Sequence, residues 1–380
     1  MACPYHNICG GCLYRNLSMP DYQSRKEQNF KKILSGLIQP DVKFGTPVFI
    51  GDNVRRRASM AFSFHKGNLR LGFNQRQSAE LVDISACNLL TPRLNANLTN
   101  IRALLAELCT VPLANNNAKK GKKTVPQYIS GGDVWLCDAD NGIDIVLEFA
   151  GGLTLEHRMI IFEKAQDFAD IIRISHREKP DSAGEPLIEK VKPQIKMGNY
   201  DVYIPAGTFL QPSKAGEQAL VGLVMKYLAG TEGRIADLFC GVGTFSYPLA
   251  ENKNNKILAA DSSPALLEGF RRSLNKNMIS NVEVVNKNLF KYPFDEKELS
   301  GFDVIIFDPP RAGAAAQTAQ IASFADKPKK LIAVSCNPHS FVKDANTLIT
   351  AGYVLKEVIL VDQFVFSDHS ELVACFELSE

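Results

Sequence analysis

The stretch that most limits what this chain can fold into is Gly233-Arg-Ile-Ala-Asp-Leu-Phe-Cys-Gly-Val-Gly-Thr-Phe245. It reads as a strand, a glycine turn and the start of a helix, with Gly241 and Gly243 letting the backbone pass close to a ligand. The next strand, Lys256–Asp261, ends in a carboxylate able to accept both hydroxyls of a ribose. Further strand ends supply Asn288, the run Asp308-Pro-Pro-Arg311, and Cys336 within Leu331-Ile-Ala-Val-Ser-Cys-Asn-Pro338. Four apolar residues in a row mark a buried parallel strand, Asn-Pro stops it, and Cys336 falls at its carboxyl end. Open α/β sheets bind ligands at that edge. Residues 206–380 are therefore expected to form an α/β domain with a nucleotide-type ligand site. Taken alone, this stretch favours a core thiol at Cys336, the usual fate of a free cysteine.

The glycine turn is a poor dinucleotide fingerprint. Its third glycine position is Ser246, and the acidic Asp237 precedes the glycines, an order closer to S-adenosylmethionine methyltransferases than to NAD enzymes.

The first half of the chain has a different pattern. Cys3, Cys9 and Cys12 lie in Cys-Pro-Tyr-His-Asn-Ile-Cys-Gly-Gly-Cys, with Cys87 the natural fourth ligand, and four thiolates suit zinc or an iron–sulfur cluster. Nine cysteines in 380 residues are too sparse for a disulfide scaffold. Ser18 and Pro20 start a helix that stops at Ser35-Gly36. Residues 58–65, 69–73 and 80–83 read as an antiparallel meander flanked by Arg55, Arg56, Arg57, Arg70 and Arg76. A helix is expected from Leu94 to Cys109, a mobile basic loop over Asn115–Lys123, and hairpins over Val125–Phe149 and Ile171–Tyr203, with Asp140-Asn-Gly142 as a turn. Three segments follow: 1–90 with the cysteines and meander, 91–205 as a mainly β RNA-binding part, and 206–380.

Charge is uneven. Residues 1–130 hold 18 Lys and Arg against 7 Asp and Glu, a net +11, which leaves −9 for the remainder of a chain whose total is +2. Arginines interleaved with aromatic strand residues suit phosphate contact and base stacking, so nucleic acid is the expected partner of the basic part. No apolar run reaches membrane-spanning length and the amino terminus lacks signal-peptide character, so the expected place is the cytoplasm, without membrane attachment.

Five motifs together, Cys-x5-Cys-Gly-Gly-Cys, Asp-Leu-Phe-Cys-Gly-Val-Gly, Asp-Pro-Pro-Arg-Ala-Gly, Ser-Cys-Asn-Pro, and Asp362-Gln-Phe followed by His369 and Glu371, resemble the RNA 5-methyluridine methyltransferase family. The resemblance covers nearly the whole chain, in the short form without a TRAM domain. It implies an α/β fold: a C-terminal Rossmann-like S-adenosylmethionine methyltransferase domain with an N-terminal mainly β RNA-binding and iron–sulfur domain. It implies a [4Fe-4S] cluster on Cys3, Cys9, Cys12 and Cys87, and S-adenosylmethionine contacts from Gln211, Phe239, Asp261 and Asp308, with Gly241, Thr244 and Asn288 lining the same site. Cys336 becomes the nucleophile, Glu371 the base, and Arg311 a contact to the uracil edge. His369 is a candidate to orient Glu371, and Arg311 or a helix amino terminus a candidate to lower the Cys336 pKa. The chain departs from the family pattern at Pro212, Ser213, Thr244 and Asp261. The implied substrate is 23S rRNA, with tRNA as the alternative, acted on by a monomer. A non-catalytic RNA-binding or folding factor and an amino-group methyltransferase are the competing readings.

Overall fold

The computed structural model describes residues 3–114, 125–180, 182 and 184–379, so the basic loop expected at Asn115–Lys123 lies outside the described residues. In chain order the elements are α1 (Met19–Leu34), β1 (Val48–Phe49), β2 (Arg57–His65), β3 (Asn68–Asn74), β4 (Leu81–Asp83), α2 (Pro92–Leu108), β5 (Gly131–Ala139), β6 (Gly142–Glu148), α3 (Leu155–Asp167), β7 (Ile171–Arg177), β8 (Glu185–Glu189), β9 (Gln194–Met197) and β10 (Tyr200–Tyr203). Then follow α4 (Lys214–Tyr227), β11 (Arg234–Leu238), α5 (Ser246–Ala250), β12 (Lys256–Asp261), α6 (Pro264–Lys276), β13 (Val282–Asn286), β14 (Val304–Phe307), α7 (Ala315–Ser323), β15 (Lys330–Ser335), α8 (Pro338–Thr350), β16 (Tyr353–Asp362) and β17 (Glu371–Leu378).

Two compact units result, and neither is continuous in sequence. One comprises 1–16, 52–195 and 204–210; the other comprises 17–51, 196–203 and 211–380. This division differs from the three consecutive segments expected at 1–90, 91–205 and 206–380. Helix α1 and strand β1 pack with the second unit because their apolar faces find their partners there.

The first unit is a seven-stranded sheet in the order β4-β3-β2-β5-β6-β7-β8. The meander β2-β3-β4 is antiparallel, as the alternation of its residues indicates. Strands β5 and β6 form a hairpin whose two-residue connection is Asp140-Asn141, with Gly142 at φ 149°. The second expected hairpin region, Ile171–Tyr203, holds the antiparallel β7–β8 pair, and between the two regions lies α3, which leads into a parallel β6–β7 pair. Thr154 starts α3 in a capping box with His157. Helices α2 and α3 cover one face, where Leu94, Leu98, Ile101, Leu105 and Ile161 pack against Met60, Leu71, Val134 and Ile145.

The second unit is an eight-stranded sheet in the order β1-β16-β17-β15-β14-β11-β12-β13. Strands β11 to β15 pair in parallel; β17 runs antiparallel between β15 and β16. The chain proceeds outward from β11 to β13 and then returns to the other side of β11 with β14, so the strand order reverses there. Ligands of open α/β sheets sit outside the carboxyl ends of the strands at such a reversal. Ala236, Leu238, Ile305, Phe307, Leu331 and Ala333, none more than 2% exposed, make the central layer of the core. Each aliphatic or Phe side chain buried this way contributes about 1.5–3 kcal/mol, which is why this sheet can hold polar groups at its edge.

Candidate active site

The carboxyl edge of the parallel strands collects most of the residues singled out above. Asp308 follows β14, Cys336 follows β15, and Asp261 closes β12. Because β17 is antiparallel to β15, with Ser335 opposite Leu372, its first residue Glu371 lies at the same edge as Cys336. The reversal of one strand thus brings an amino-terminal strand residue to a carboxyl edge.

A chain of hydrogen bonds joins the two carboxylates. Gln363 Nε2 donates to Glu371 Oε2 at 2.9 Å and to Gln211 Oε1 at 2.7 Å, while Gln211 Nε2 donates to Asp308 Oδ2 at 3.3 Å. Burial pushes the Glu371 carboxyl up to about 7 against the lowering effect of the Gln363 bond. Asp308 is also raised well above the usual carboxylate range, first by burial and then by the neighbouring Glu371 and Asp237. Glu371 therefore stands where proton transfer near neutrality is accessible to it.

Cys336 is half-buried at the start of the turn into α8. Asn337 caps that helix through His339 N at 3.1 Å, and its Nδ2 donates to Arg311 O at 2.9 Å, which ties the Asp-Pro-Pro-Arg turn to the cysteine turn. The thiol is not lowered as expected. Burial, then the charges of Glu371 and Asp308, push it up to about 12, and the opposing pull of Arg311 is outweighed. At this edge Cys336 is held as a thiol.

The glycine turn lies beside the same edge. Phe239 takes a left-handed conformation (φ 60°), as does Gly241 (φ 56°), and a side chain at Gly241 would meet nothing within 4 Å. Asp261 Oδ2 accepts from Gly241 N at 3.1 Å and Oδ1 from Ser263 N at 2.9 Å, leaving lone pairs on both oxygens for ribose hydroxyls. Asn288 Oδ1 turns the chain after β13 by accepting from Phe290 N and Lys291 N, and Phe290 packs against Phe239 at 5.4 Å between ring centroids. An open cradle of backbone, carboxylates and aromatic rings fits an adenosine moiety. Thr244 lines instead a cleft of about 410 Å³ whose other walls, including Lys196, Lys214 and Glu217, include none of the expected cofactor residues.

Gln363 is the residue that reasoning from sequence did not assign, although its neighbours in Asp362-Gln-Phe were noted. Its room is made by Gly216 in the first turn of α4, where a Cβ would come within 2.4 Å of Gln363 Oε1. The His369 ring packs edge-on against Phe364, and the residue is exposed.

In the other unit, burial first and then neighbouring cysteines of the candidate set push up the thiols of Cys9, Cys12 and Cys87, and Cys3 is near enough to act on all three. The amino-terminal loop docks through Gly10 N to Asn74 O at 2.9 Å and through Arg76 to Cys12 O. Cys87 is held by Asn95, which bonds both its N–H and its carbonyl at 2.9 Å. Arg15, Arg55 and Arg76 lie near enough to act on these thiols. The donor set suits a thiolate-ligated group, yet among the described residues no three His, Cys, Asp or Glu side chains are arranged to hold a metal ion. No helix among the described residues is long and apolar enough to cross a membrane.

Residues 187–377 match the family model for tRNA (uracil-5-)-methyltransferase. Over 99% of its length the chain is 34% identical to an uncharacterized RNA methyltransferase of Caulobacter vibrioides, covering 85% of that protein. The chain belongs to the RNA uracil-5-methyltransferase family. It is accordingly an S-adenosylmethionine-dependent RNA methyltransferase that acts at carbon 5 of uracil. A further member, the 23S rRNA (uracil(1939)-C(5))-methyltransferase RlmD of Pectobacterium carotovorum, is 31% identical over 98% of this chain and 79% of its own. Among solved structures, the tRNA (uracil-54, C5)-methyltransferase of Pyrococcus abyssi in complex with S-adenosyl-L-homocysteine shares the fold, with a TM-score of 0.71 over 97% of this chain and 86% of that one at 22% identity. The shared fold is the one described above, with a Rossmann-like α/β methyltransferase unit and a mainly β unit.

Proposed function

We propose that this methyltransferase modifies one uridine of 23S rRNA through a covalent bond between Cys336 and carbon 6 of the base. The observation that carries this reading is the meeting of Cys336, Asp308 and Glu371 at one strand edge, with two glutamines bridging the carboxylates.

Carbon 5 of uracil is a weak nucleophile, and a covalent detour makes it a stronger one. Cys336, which is half-buried, gives its proton to solvent water and its sulfur bonds to carbon 6; the electrons of the 5,6 double bond move toward the oxygen on carbon 4. Arg311 faces the pyrimidine edge and offsets the negative charge that develops there, and Asp308 binds the same edge. S-adenosylmethionine, held by Gln211, Phe239, Gly241, Asp261, Asn288 and Asp308, supplies an electrophilic methyl on a sulfonium. Carbon 5 takes that methyl while the carbon–sulfur bond to it breaks. The Glu371 carboxylate then removes the proton left on carbon 5, the double bond re-forms, and the Cys336 sulfur departs.

The choice of 23S rRNA follows the 31% identity to a relative so named; the family model's description supports tRNA as the second reading. In the first unit, Cys3, Cys9, Cys12 and Cys87 would hold a [4Fe-4S] cluster that ties the amino-terminal loop to the meander and shapes an RNA face with Arg55, Arg57 and Arg76. The protein acts as a monomer in this reading.

The test is incubation with 5-fluorouridine RNA and methyl donor. A covalent complex stable to denaturation forms with the wild type and is absent from Cys336→Ser. Absence from both sinks the covalent mechanism. Mapping of 5-methyluridine in rRNA and tRNA of cells lacking the protein decides between the two RNAs.

A further inference from the structure

Helix α1 carries a buried stripe, Tyr22, Lys26, Phe30 and Leu34, spaced every four residues, and the anomaly in it is Lys26. An ammonium that is 2% exposed on an otherwise apolar face is expensive to bury, and burial does lower its pKa. All three of its protons have acceptors. Nζ forms an ion pair with Asp362 Oδ1 at 3.0 Å and donates to Ser367 O at 2.9 Å and to His369 O at 2.5 Å. One turn earlier, Tyr22 Oη donates to Asp362 Oδ2 at 2.5 Å and accepts from Phe366 N at 2.8 Å. The Tyr22 ring also lies 4.9 Å from that of Phe366, a residue in the left-handed conformation at φ 60°.

These contacts fall on one segment, residues 363–370, which joins β16 to β17. Its first residue is Gln363, the donor to Glu371; Glu371 itself follows its last. A connection of eight residues in an antiparallel pair would ordinarily be among the looser parts of a sheet. Here α1 grips it before Gln363, at its middle and two residues before Glu371.

We propose that Tyr22, Lys26 and Asp362 are positioning residues for the proton-abstraction step: they hold the 363–370 loop so that Gln363 aims the Glu371 carboxylate at carbon 5. The inference rests on the proposed role of Glu371 as base. A plain structural staple between α1 and the sheet is the alternative. Buried ion pairs can often be exchanged for apolar groups with little loss of stability, so a staple would respond in stability alone. A positioning role responds in one chemical step, because a misplacement of about 1 Å can slow a reaction by about a hundredfold.

The variants are Tyr22→Phe, which keeps the ring and removes only the hydroxyl, and Lys26→Met. Single-turnover methyl transfer to ordinary RNA is measured together with the amount of methylated RNA bound covalently to the protein after denaturation. The expected result is methyl transfer within about twofold of wild type, KM for RNA within about threefold, and release of the covalent complex slowed by about tenfold to a hundredfold, so that the complex accumulates. Equal slowing of transfer and release, or no change in either, overturns the inference. If Lys26→Met fails to fold, Tyr22→Phe decides. Glu371→Gln separates the two readings. If it fails to accumulate the complex, the assignment of the base is wrong; if it accumulates and both other variants do not, only the positioning role is wrong.

Discussion

At the scale of the residue, Cys336 carries a cost that its surroundings impose. A thiol pushed up to about 12 is almost entirely protonated near neutrality, and the two causes after burial are the carboxylates of Glu371 and Asp308. Removing one of those negative charges should ease ionisation. Glu371→Gln is therefore expected to move the pH midpoint of Cys336 alkylation down by about one pH unit or more, and Arg311→Ala to move it up by less; an unchanged midpoint in Glu371→Gln would show that burial alone holds the proton. The carboxyl of Glu371 obeys the opposite bookkeeping. Its folded pKa, about 7, lies above the ordinary 4.5, so the stability linked to its proton is present below about 4.5 and is lost as pH rises through about 7. The ionised Glu371, the form that the proposed proton abstraction needs, is thus the less stable one.

At the scale of the element, the start of α4 shows how a helix can be shaped for a side chain it does not contain. Ser213 caps α4 through Gly216 N at 2.9 Å, and Gly216 leaves the space that Gln363 fills. Alanine is the better helix former by about 1 kcal/mol, so Gly216→Ala should leave helix content intact or higher. Its Cβ would nonetheless collide with Gln363, and turnover is expected to fall about tenfold or more. Circular dichroism beside steady-state kinetics checks the pair; normal turnover would mean that Gln363 can move without consequence. Strand β17 makes a related point. Its apolar run Leu372–Phe376 reveals a strand in the sequence, but its antiparallel direction, which brings Glu371 to the active edge, is set by its neighbours β15 and β16.

At the scale of the whole molecule, the charge excess read along the chain does not coincide with either unit. The unit built from 1–16, 52–195 and 204–210 holds 20 Lys and Arg against 17 Asp and Glu, a net +3, so the basic character rests in local stretches of sequence, Arg55–Arg76 and Lys119–Lys123, rather than in a whole domain. The same unit gathers the four candidate cluster cysteines from both ends of an 85-residue span, Cys3 to Cys87. If they hold a cluster, Cys87→Ser should lower iron and sulfide content and destabilise this unit by about 2–4 kcal/mol through the reopened loop, while S-adenosyl-L-homocysteine affinity stays within about twofold of wild type. An iron-free wild type with full stability would remove the cluster from the account.

The local signals were sufficient for the α/β pattern, the glycine turn, the meander, the ends of α1 and α2, and the strand-end placement of Asp261, Asp308 and Cys336. Each depends on periodicity or on Gly, Pro and Asn at fixed offsets, which neighbours in sequence impose. Helix α3 was hidden because its exposed face bears Leu155, Met159 and Phe162, which blurs the helical alternation of polar and apolar residues. Contacts between distant segments were beyond local signals altogether: Lys26 with Asp362 and His369, Gln211 with Gln363, β1 beside β16. Residue types and spacing determined which groups this protein brings to a strand edge. Only the tertiary structure decided how those groups are buried, bridged and charged, because burial and proton affinity depend on what packs around a side chain and not on what adjoins it in the chain.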